Sequence, residues 1–290
     1  MEPLPTVYGY SDAGAIVEDT RWEPRKILCT KQSDHSDAPG MRYAIKFRRG
    51  TPESAAMAIS EVIGHCLLQS VGIRTFEAAL IDISSDLARS YAEPGTLDYG
   101  VAEGLHFGTK FDIDTDSGPP TQWEQMAEPQ ELVAIWVFDS WTLNIDRENE
   151  GNLRLLKRSD GRFSLLAADQ SDLFLGAGRF AAGEAFKECG RHGPANYKSQ
   201  HYNLWDMVQR TIAEHGSSVL AGTIDAIKTA SKNLDAMIAH VPAAWWSESG
   251  VAPANLVDCL VSRAERLGDI CRLKEMEGLY SEFNKYRSLL

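Results

Sequence analysis

The sequence lacks long apolar runs, and that absence excludes a membrane-spanning protein. No uninterrupted apolar stretch approaches about 18 residues, the length that a membrane-crossing helix requires. The opening residues, Met1-Glu-Pro-Leu-Pro5, contain neither the basic segment nor the apolar segment of a secretory signal. These two absences predict a cytoplasmic protein that has no membrane among its partners.

Cysteine is scarce, and its spacing gives no recognisable motif. The number is odd, the positions are far apart, and no two cysteines form a CxxC pair. Such spacing argues against a disulfide framework and against a zinc site, and it suits a reducing compartment. The five positions are Cys29, Cys66, Cys189, Cys259 and Cys271.

Basic residues are few compared with acidic ones. The chain has 29 Lys and Arg against 41 Asp and Glu, a formal net charge of −12. Its densest basic cluster, Lys46-Phe-Arg48-Arg49, is short. A protein that binds a phosphate backbone needs a basic patch, so we expect no direct contact with nucleic acid. The same charge disfavours a lipid kinase, which needs a basic or apolar surface towards the membrane.

What the sequence does contain is the composition of a globular domain, with 43% hydrophobic and 24% charged residues in 290. Its first part alternates strand-like segments with a single helix. Thr51 is a candidate helix cap, and Pro52 suits the first turn of that helix. The predicted elements are strands over 22–30, 42–47, 75–83 and 100–111, a polar loop over 31–40, and a helix over 51–72.

The second part is mainly helical and is interrupted by one hairpin. An apolar helix begins near residue 128, and Asp160-Gly161 is a hairpin turn signal between strands 153–157 and 163–167. Further helices are predicted over 203–215, 218–240 and 253–285. Because residues 112–120 are rich in Asp, Gly and Pro, we place a boundary there. The fold class is α+β, with a small β-rich N-terminal lobe over 1–118 and a larger helical lobe over 119–290.

Polar residues with the chemistry for phosphoryl transfer surround the predicted hairpin. Asp146 lies in a polar loop after the apolar helix, Asn152 precedes the first strand, and Asp169 follows the second. Transfer from ATP needs one carboxylate to orient or deprotonate the acceptor hydroxyl, and hard oxygen ligands to hold Mg²⁺. The hairpin is expected to bring Asn152 and Asp169 to within about 6 Å of each other.

A lysine and a glutamate complete this set. Lys46 ends the short strand segment Tyr43-Ala-Ile-Lys46, where its ammonium group can reach the phosphates of ATP. Glu61 lies on the predicted helix among apolar neighbours, and a carboxylate there is costly to bury unless it is paired. We therefore predict an ion pair between Lys46 and Glu61 in the cleft between the lobes.

Taken together, these motifs resemble those of the HipA-like kinases, a branch of the protein-kinase-like superfamily that is related to phosphatidylinositol kinases. The resemblance extends over roughly residues 25–175. Its carrying segments are Tyr43-Ala-Ile-Lys46, the Glu61 helix ending in Ser70-Val-Gly-Ile73, Leu105-His-Phe-Gly108, Asn144-Ile-Asp146-Arg147 through Gly151-Asn152-Leu153, and Ala168-Asp169.

The resemblance implies a two-lobed protein-kinase-like fold and a serine/threonine protein kinase that uses ATP and Mg²⁺. Lys46 is then the ATP-contacting lysine and Asp146 the catalytic aspartate, while Asn152 and Asp169 hold the metal. The family usually places the metal asparagine five residues after the catalytic aspartate. Asn152 is one position later, and Asn149 is the alternative.

Three further residues are assigned to the nucleotide. Ser33 and Ser36 lie in the loop over 31–40, which we expect to cover the phosphates, and both are candidates for autophosphorylation. Phe107 belongs to the segment Leu105-His-Phe-Gly108 and is taken as a nucleotide contact. The expected partners are a protein substrate and a cognate antitoxin or regulatory protein. The alternatives are a lipid or small-molecule kinase, and a pseudokinase or ATP-binding regulatory module.

Overall fold

A computed structural model describes most of the chain. The described residues are 2–16, 22, 24–33, 40–91, 100–111, 116–117, 120–149, 151–191, 193, 195, 197 and 204–287. Residues 34–39, with most of the predicted phosphate-covering loop, lie outside this set, and so does most of the predicted boundary over 112–120.

The N-terminal part is a small closed barrel of five strands. Their order around the barrel is β1-β2-β3-β5-β4, and all neighbours are antiparallel except β1 and β4, which are parallel. Val7, Ile27, Ile45 and Ile81 fill its apolar interior. The strands are β1 (Thr6–Ala15), β2 (Arg25–Thr30), β3 (Met41–Ile45), β4 (Ala78–Ile83) and β5 (Gly104–Lys110).

A helix, α1 (Pro52–Ser70), connects β3 to β4 and lies at the centre of the molecule. Its start follows the predicted signal, because the Thr51 hydroxyl accepts from the Ser54 backbone NH at 3.2 Å and the Ser54 hydroxyl accepts in return from the Thr51 NH. Every residue from Ser54 to Leu68 is buried. A helix buried on all sides is one that other elements cover, and here these are β5 and C-terminal helices.

The C-terminal part is helical and carries a three-stranded sheet of order β6-β7-β8. That sheet consists of β6 (Asp116–Ser117), β7 (Leu153–Lys157) and β8 (Phe163–Ala167). The remaining helices are α2 (Ser85–Ser90), which belongs to the N-terminal part, α3 (Gln130–Thr142), α4 (Ala177–Ala181), α5 (Glu184–Glu188), α6 (Leu204–His215), α7 (Ser218–Ala230), α8 (Leu234–Ile238), α9 (Ala243–Ser249) and α10 (Pro253–Arg287). Within the described ranges, no helix is both long and apolar enough to cross a membrane.

The predicted α+β class is confirmed, with a β-rich N-terminal part and a helical C-terminal part. Both strands of the hairpin have the predicted bounds. The ten-residue β1 was not predicted, because Gly9, Asp12 and Gly14 break its pattern and the strand is bulged at Gly9 and Asp12. The helix predicted over 218–240 is divided into α7 and α8 by a 3-10 turn.

The prediction that the chain has no disulfide is wrong. Cys189 and Cys259 are bonded, with their Cα atoms 5.7 Å apart, whereas Cys29, Cys66 and Cys271 are buried and form no disulfide among the described residues. Cys189 follows α5 and Cys259 lies on α10, 70 residues further along the chain. Sequence spacing reveals local motifs, but the approach of these two elements is a property of the tertiary structure.

One glycine permits close contact between α1 and the segment that follows β8. A Cβ at Gly64 of α1 would lie 2.6 Å from Cβ of Gln170 and 2.7 Å from Cδ1 of Leu173. Gly64→Ala should therefore reduce the free energy of unfolding by about 1–3 kcal/mol, since overpacking outweighs the better helix propensity of alanine. Urea denaturation measures this change.

The matched control is Gly222→Ala on the exposed side of α7, where an added Cβ meets nothing within 4 Å. This variant should gain up to about 1 kcal/mol of stability from helix propensity alone. Equal effects of the two substitutions would contradict the close approach at Gly64.

Candidate active site

Lys46, which follows the last residue of β3, contacts three other polar side chains of the site. Its Nζ lies 3.1 Å from Oε1 of Glu61 and 3.0 Å from Oγ of Ser171, and it also pairs with Oδ1 of Asp169. The predicted ion pair between Lys46 and Glu61 is confirmed. Lys46 thereby connects the barrel to α1 and to the segment after β8.

Glu61 uses both of its carboxylate oxygens. Oε1 faces Lys46, and Oε2 accepts a 2.9 Å hydrogen bond from the backbone NH of Gln170. The side chain is almost completely buried, and these two bonds offset the cost of removing a carboxylate from water. Glu61 therefore holds α1 against the segment that carries Asp169.

Asp169 has a left-handed backbone with φ of 49°, a conformation that aspartate tolerates better than most residues. Its Oδ1 accepts from Ser171 twice, from the NH at 3.1 Å and from the hydroxyl at 2.6 Å. Burial raises the pKa of Asp169, but the charge and hydrogen bond of Lys46 and the bonds from Ser171 outweigh it and hold the pKa at about 2. Asp169 is thus ionised throughout the neutral range.

Asp146 lies in a tight loop that follows α3. The loop begins at Leu143, which has a left-handed φ of 57°, and the NH of Asp146 donates to Oδ1 of Asn144 at 3.0 Å. Nδ2 of Asn152 donates to both the carbonyl oxygen and Oδ2 of Asp146, each at 2.8 Å. Nδ2 of Asn149 also donates to Oδ1 of Asp146, but Asn149 is exposed, whereas Asn152 is buried.

The carboxyl group of Asp146 is poised to exchange a proton near neutral pH. Burial is the largest cause that raises its pKa, and repulsion from Asp172 adds to it, while the hydrogen bond from Asn152 acts in the opposite direction. The resulting pKa is about 6. Sequence reasoning missed Asp172, because nothing in the run Asp169-Gln-Ser-Asp172 reveals that its last residue faces Asp146.

A buried arginine fixes the loop to the hairpin. The guanidinium of Arg147 pairs with Asp139 of α3, with Nη2 3.0 Å from Oδ1 and Nε 3.1 Å from Oδ2. Nη1 donates at 2.6 Å to the carbonyl oxygens of Asn152 and Ala168, and Nη2 donates to Oε1 of Gln170 at 2.9 Å. All five NH donors of this side chain are used. In the sequence, Arg147 directly follows Asp146, but nothing there reveals its partner Asp139.

The two predicted metal ligands lie at neighbouring ends of the hairpin. The NH of Ala168 donates to the carbonyl oxygen of Asn152 at 3.1 Å, and Asp169 is the next residue. The amide nitrogen of Asn152 is turned to Asp146, which leaves its amide oxygen for a cation. At Asp169, Lys46 and Ser171 occupy Oδ1 and leave Oδ2.

This donor set suits Mg²⁺. Hard oxygen atoms are its preferred ligands, and the ion usually binds one or two carboxylates together with substrate phosphates. In the part of the chain that the structure describes, no group of three or more His, Cys, Asp or Glu side chains is arranged to hold a metal. With only one carboxylate and one amide from the protein, a Mg²⁺ ion at this site would take its remaining ligands from outside the protein, and the phosphate oxygens of the substrate can supply them.

The remaining predicted site residues are placed differently. Ser33 is exposed in the turn after β2, and Ser36 lies outside the described residues. Phe107 on β5 is 6% exposed and belongs to the apolar core, with its ring centroid 6.0 Å from that of His65. The nucleotide contacts of all three residues stay predictions.

One family of known proteins matches part of this chain. The model of the HipA-like kinase family matches residues 28–168, which include Lys46, Glu61, Asp146 and Asn152 and end one residue before Asp169. A search of curated proteins finds no significant match.

Seven chains of known structure match, among them the proinflammatory kinase CtkA of Helicobacter pylori. The alignment with CtkA covers 90% of each chain at 10% identity, with a TM-score of 0.40. The family model alone carries this comparison: residues 28–168 of the chain match the HipA-like kinase family.

Proposed function

We propose that this protein is an ATP- and Mg²⁺-dependent phosphotransferase, and specifically a serine/threonine protein kinase of the HipA-like type. The observation that carries the proposal is the arrangement of Lys46 between Glu61 and Asp169. Asp146 lies beside this group, since it is held through Asn152 at the start of the same hairpin. A cationic group for phosphates thus stands next to a carboxylate suited to a hydroxyl acceptor.

In this proposal, Asp146 orients the acceptor hydroxyl and accepts its proton as the oxygen attacks the γ-phosphorus of ATP. The bond between that phosphorus and the β–γ bridging oxygen breaks, and ADP leaves. A pKa of about 6 makes Asp146 ionised at neutral pH yet basic enough to receive a proton. Lys46 contacts the phosphates, and Glu61 keeps its ammonium group in position.

The residues that would hold Mg²⁺ are Asn152 and Asp169. When bound there, the ion would supply positive charge to the phosphate oxygens and orient them. Asp169 suits this role because its pKa of about 2 keeps it ionised at any pH at which the enzyme works. Arg147 keeps the two ends of the hairpin together through the carbonyl oxygens of Asn152 and Ala168.

The finer parts of the proposal rest on the family resemblance. They are a serine or threonine side chain of a protein as the acceptor, a cognate antitoxin or regulatory protein as a partner, and binding of ATP between lobes of residues 1–118 and 119–290. A lipid or small-molecule acceptor and an ATP-binding module without transfer activity are the competing outcomes that the first experiment separates.

That experiment incubates the purified chain with γ-labelled ATP and candidate protein acceptors, with Mg²⁺ or with EDTA, and maps phosphorylated residues by mass spectrometry. We expect Mg²⁺-dependent label on serine or threonine, with Ser33 and Ser36 as candidate autophosphorylation sites. Lys46→Met should remove the label. Label that is equal in Lys46→Met, or no label despite ATP binding, would contradict the proposal.

The fall of the reaction rate at acidic pH should follow the protonation of the Asp146 carboxylate. Because the base must be ionised, kcat/KM should fall about tenfold for each pH unit below the pKa of about 6 and level off above it. Asp172→Asn removes a like charge that raises this pKa, so this fall in rate should move to lower pH.

Asp160→Asn is the matched control for this shift, because Asp160 is exposed in the hairpin turn and pairs with Arg162. It should leave the profile unchanged. A profile that is the same in wild type and Asp172→Asn, or one that moves equally in Asp160→Asn, would show that another group controls the rate.

A further inference from the structure

A cavity away from the candidate active site is lined by the disulfide. It has a volume of about 580 Å³, within the range of small-molecule sites, and none of its lining residues belongs to the site around Lys46 and Asp146. Its walls come from the region of α4 and α5, from residues 250–252, and from the first turns of α10. Both Cys189 and Cys259 lie in these walls.

The lining of the cavity suits a small charged thiol. Lys187 supplies an ammonium group for a carboxylate, and Asp258 supplies a carboxylate for an amine. Both side chains are exposed, while Phe186 and Val251 add apolar surface to the lining. A peptide thiol that carries both a carboxylate and an amine, such as glutathione, matches this combination.

The disulfide also packs beneath the loop of Asp146. Cys189 and Cys259 form one buried apolar cluster with Leu143 and Leu175. Leu143 begins the loop of Asp146, Leu175 follows Asp172, and the NH of Leu175 donates to the carbonyl oxygen of Leu143 at 3.0 Å. Both leucines have left-handed backbones, with φ of 57° and 67°, which a leucine adopts only when its surroundings hold it there.

Arg263 connects the same cysteines to the end of α3. It lies one turn after Cys259 on α10 and is completely buried. Its guanidinium donates to the carbonyl oxygens of Trp141 at 3.0 Å and Cys189 at 2.8 Å, and also to that of Ser140. The elements that the disulfide joins are therefore those that hold the last turn of α3, directly before the loop of Asp146.

We propose that Cys189–Cys259 is a site of thiol–disulfide exchange for a zwitterionic peptide thiol that enters through this cavity, and that the state of the bond controls the loop of Asp146. The second half of the proposal rests on the proposed kinase function. The first half, the exchange itself, stands independently of it.

The chemistry is that of ordinary exchange. The thiolate of the small thiol attacks one cysteine sulfur, the Cys189–Cys259 bond breaks, and the other cysteine leaves as a thiolate that takes up a proton. A second small thiol then attacks the mixed disulfide and releases the small-molecule disulfide. In total, two small thiols are oxidised and two cysteines are reduced, and the small-molecule disulfide drives the reverse reaction.

Reduction frees the end of α5 from α10 and removes support from Leu143 and Leu175. We expect kcat for phosphoryl transfer to fall about tenfold on reduction, because small displacements of a catalytic group are costly. The KM for ATP should change little, since Lys46 and Glu61 are held by β3 and α1. A purely structural disulfide would instead alter stability without this separation of kcat from KM.

The test equilibrates the full chain with mixtures of reduced and oxidised glutathione and counts thiols after denaturation. Three of the five cysteines should titrate in the oxidised form and all five in the reduced form. Mass spectrometry should detect a glutathione adduct at Cys189 or Cys259 on the way. Lys187→Gln should slow exchange with glutathione several-fold, but not with uncharged dithiothreitol.

Two variants complete the design. The double variant Cys189→Ser/Cys259→Ser should have the low kcat in every mixture, whereas Cys271→Ala, which removes a buried cysteine of α10 outside the disulfide, should respond as wild type does. A thiol count that stays at three or at five in all mixtures would overturn the exchange site. A changing count with constant kcat would overturn the control of the loop.

Absence of any phosphoryl transfer would count against the proposed function and not against exchange. In that case, amide hydrogen exchange over residues 140–146 decides the second half. We expect faster exchange in the reduced chain than in the oxidised one. Equal protection in the two states would refute the coupling, whatever the catalytic activity of the protein.

Discussion

Asp146→Asn should reduce phosphoryl transfer by about 10²–10⁴-fold, the usual contribution of a positioned general base, while the affinity for ATP stays within about twofold of wild type. The asparagine side chain has nearly the same shape, so the contact with Asn152 can persist. It does not accept the proton of the acceptor hydroxyl, however. Ground-state binding should not suffer, because the substitution also relieves repulsion from Asp169 and Asp172.

Single-turnover transfer and calorimetry with ATP and Mg²⁺ measure the two quantities separately. Asp160→Asn, the same change at the exposed hairpin turn, should leave both at wild-type values. If Asp146→Asn transfers phosphate at the wild-type rate, the base is another residue. If it loses ATP binding instead, Asp146 supports the nucleotide site and the proposed division of roles is wrong.

Features set by local sequence could be predicted accurately. The hairpin of β7 and β8 has the predicted bounds because its turn signal, Asp160-Gly161, acts over only a few residues. The start of α1 is similarly local, since Thr51 and Ser54 cap each other. The ion pair of Lys46 and Glu61 could also be inferred, because a carboxylate on a buried helical face requires a partner.

Features that depend on distant parts of the chain could not be predicted. Asp172 raises the pKa of Asp146 only because the loop after α3 and the segment after β8 converge in space. Asp139 is an acidic residue in an apolar helix, and its pairing with Arg147 depends on how that helix ends at Leu143. The disulfide is the extreme case, since its two cysteines are 70 residues apart.

The surroundings of Asp169 favour asparagine over alanine for testing the proposed metal site. Its φ of 49° is left-handed, and asparagine tolerates that backbone, whereas alanine would add about 1–2 kcal/mol of strain. Asparagine also keeps an oxygen that can accept from Ser171. Lys46 retains Glu61 as a partner, so the ammonium group is not left buried without a counter-charge. The substitution therefore removes one negative charge and disturbs little else.

Asp169→Asn should reduce transfer by about 10³-fold, which corresponds to about 4 kcal/mol of lost charge stabilisation around the phosphates. It should also abolish the increase in ATP affinity that Mg²⁺ gives the wild type, because the Asp169 carboxylate, ionised with a pKa of about 2, is the one charged ligand proposed for the ion. Calorimetry of ATP binding with Mg²⁺ and with EDTA measures this difference directly.

Asp172→Asn is the matched control, since it removes the same charge nearby without removing a proposed ligand. The Mg²⁺ dependence of its ATP affinity should equal that of wild type. A variant at Asp169 that keeps the full Mg²⁺ effect would show that the ion is held elsewhere, and equal losses in both variants would show that the overall negative charge, and not a ligand at Asp169, attracts it.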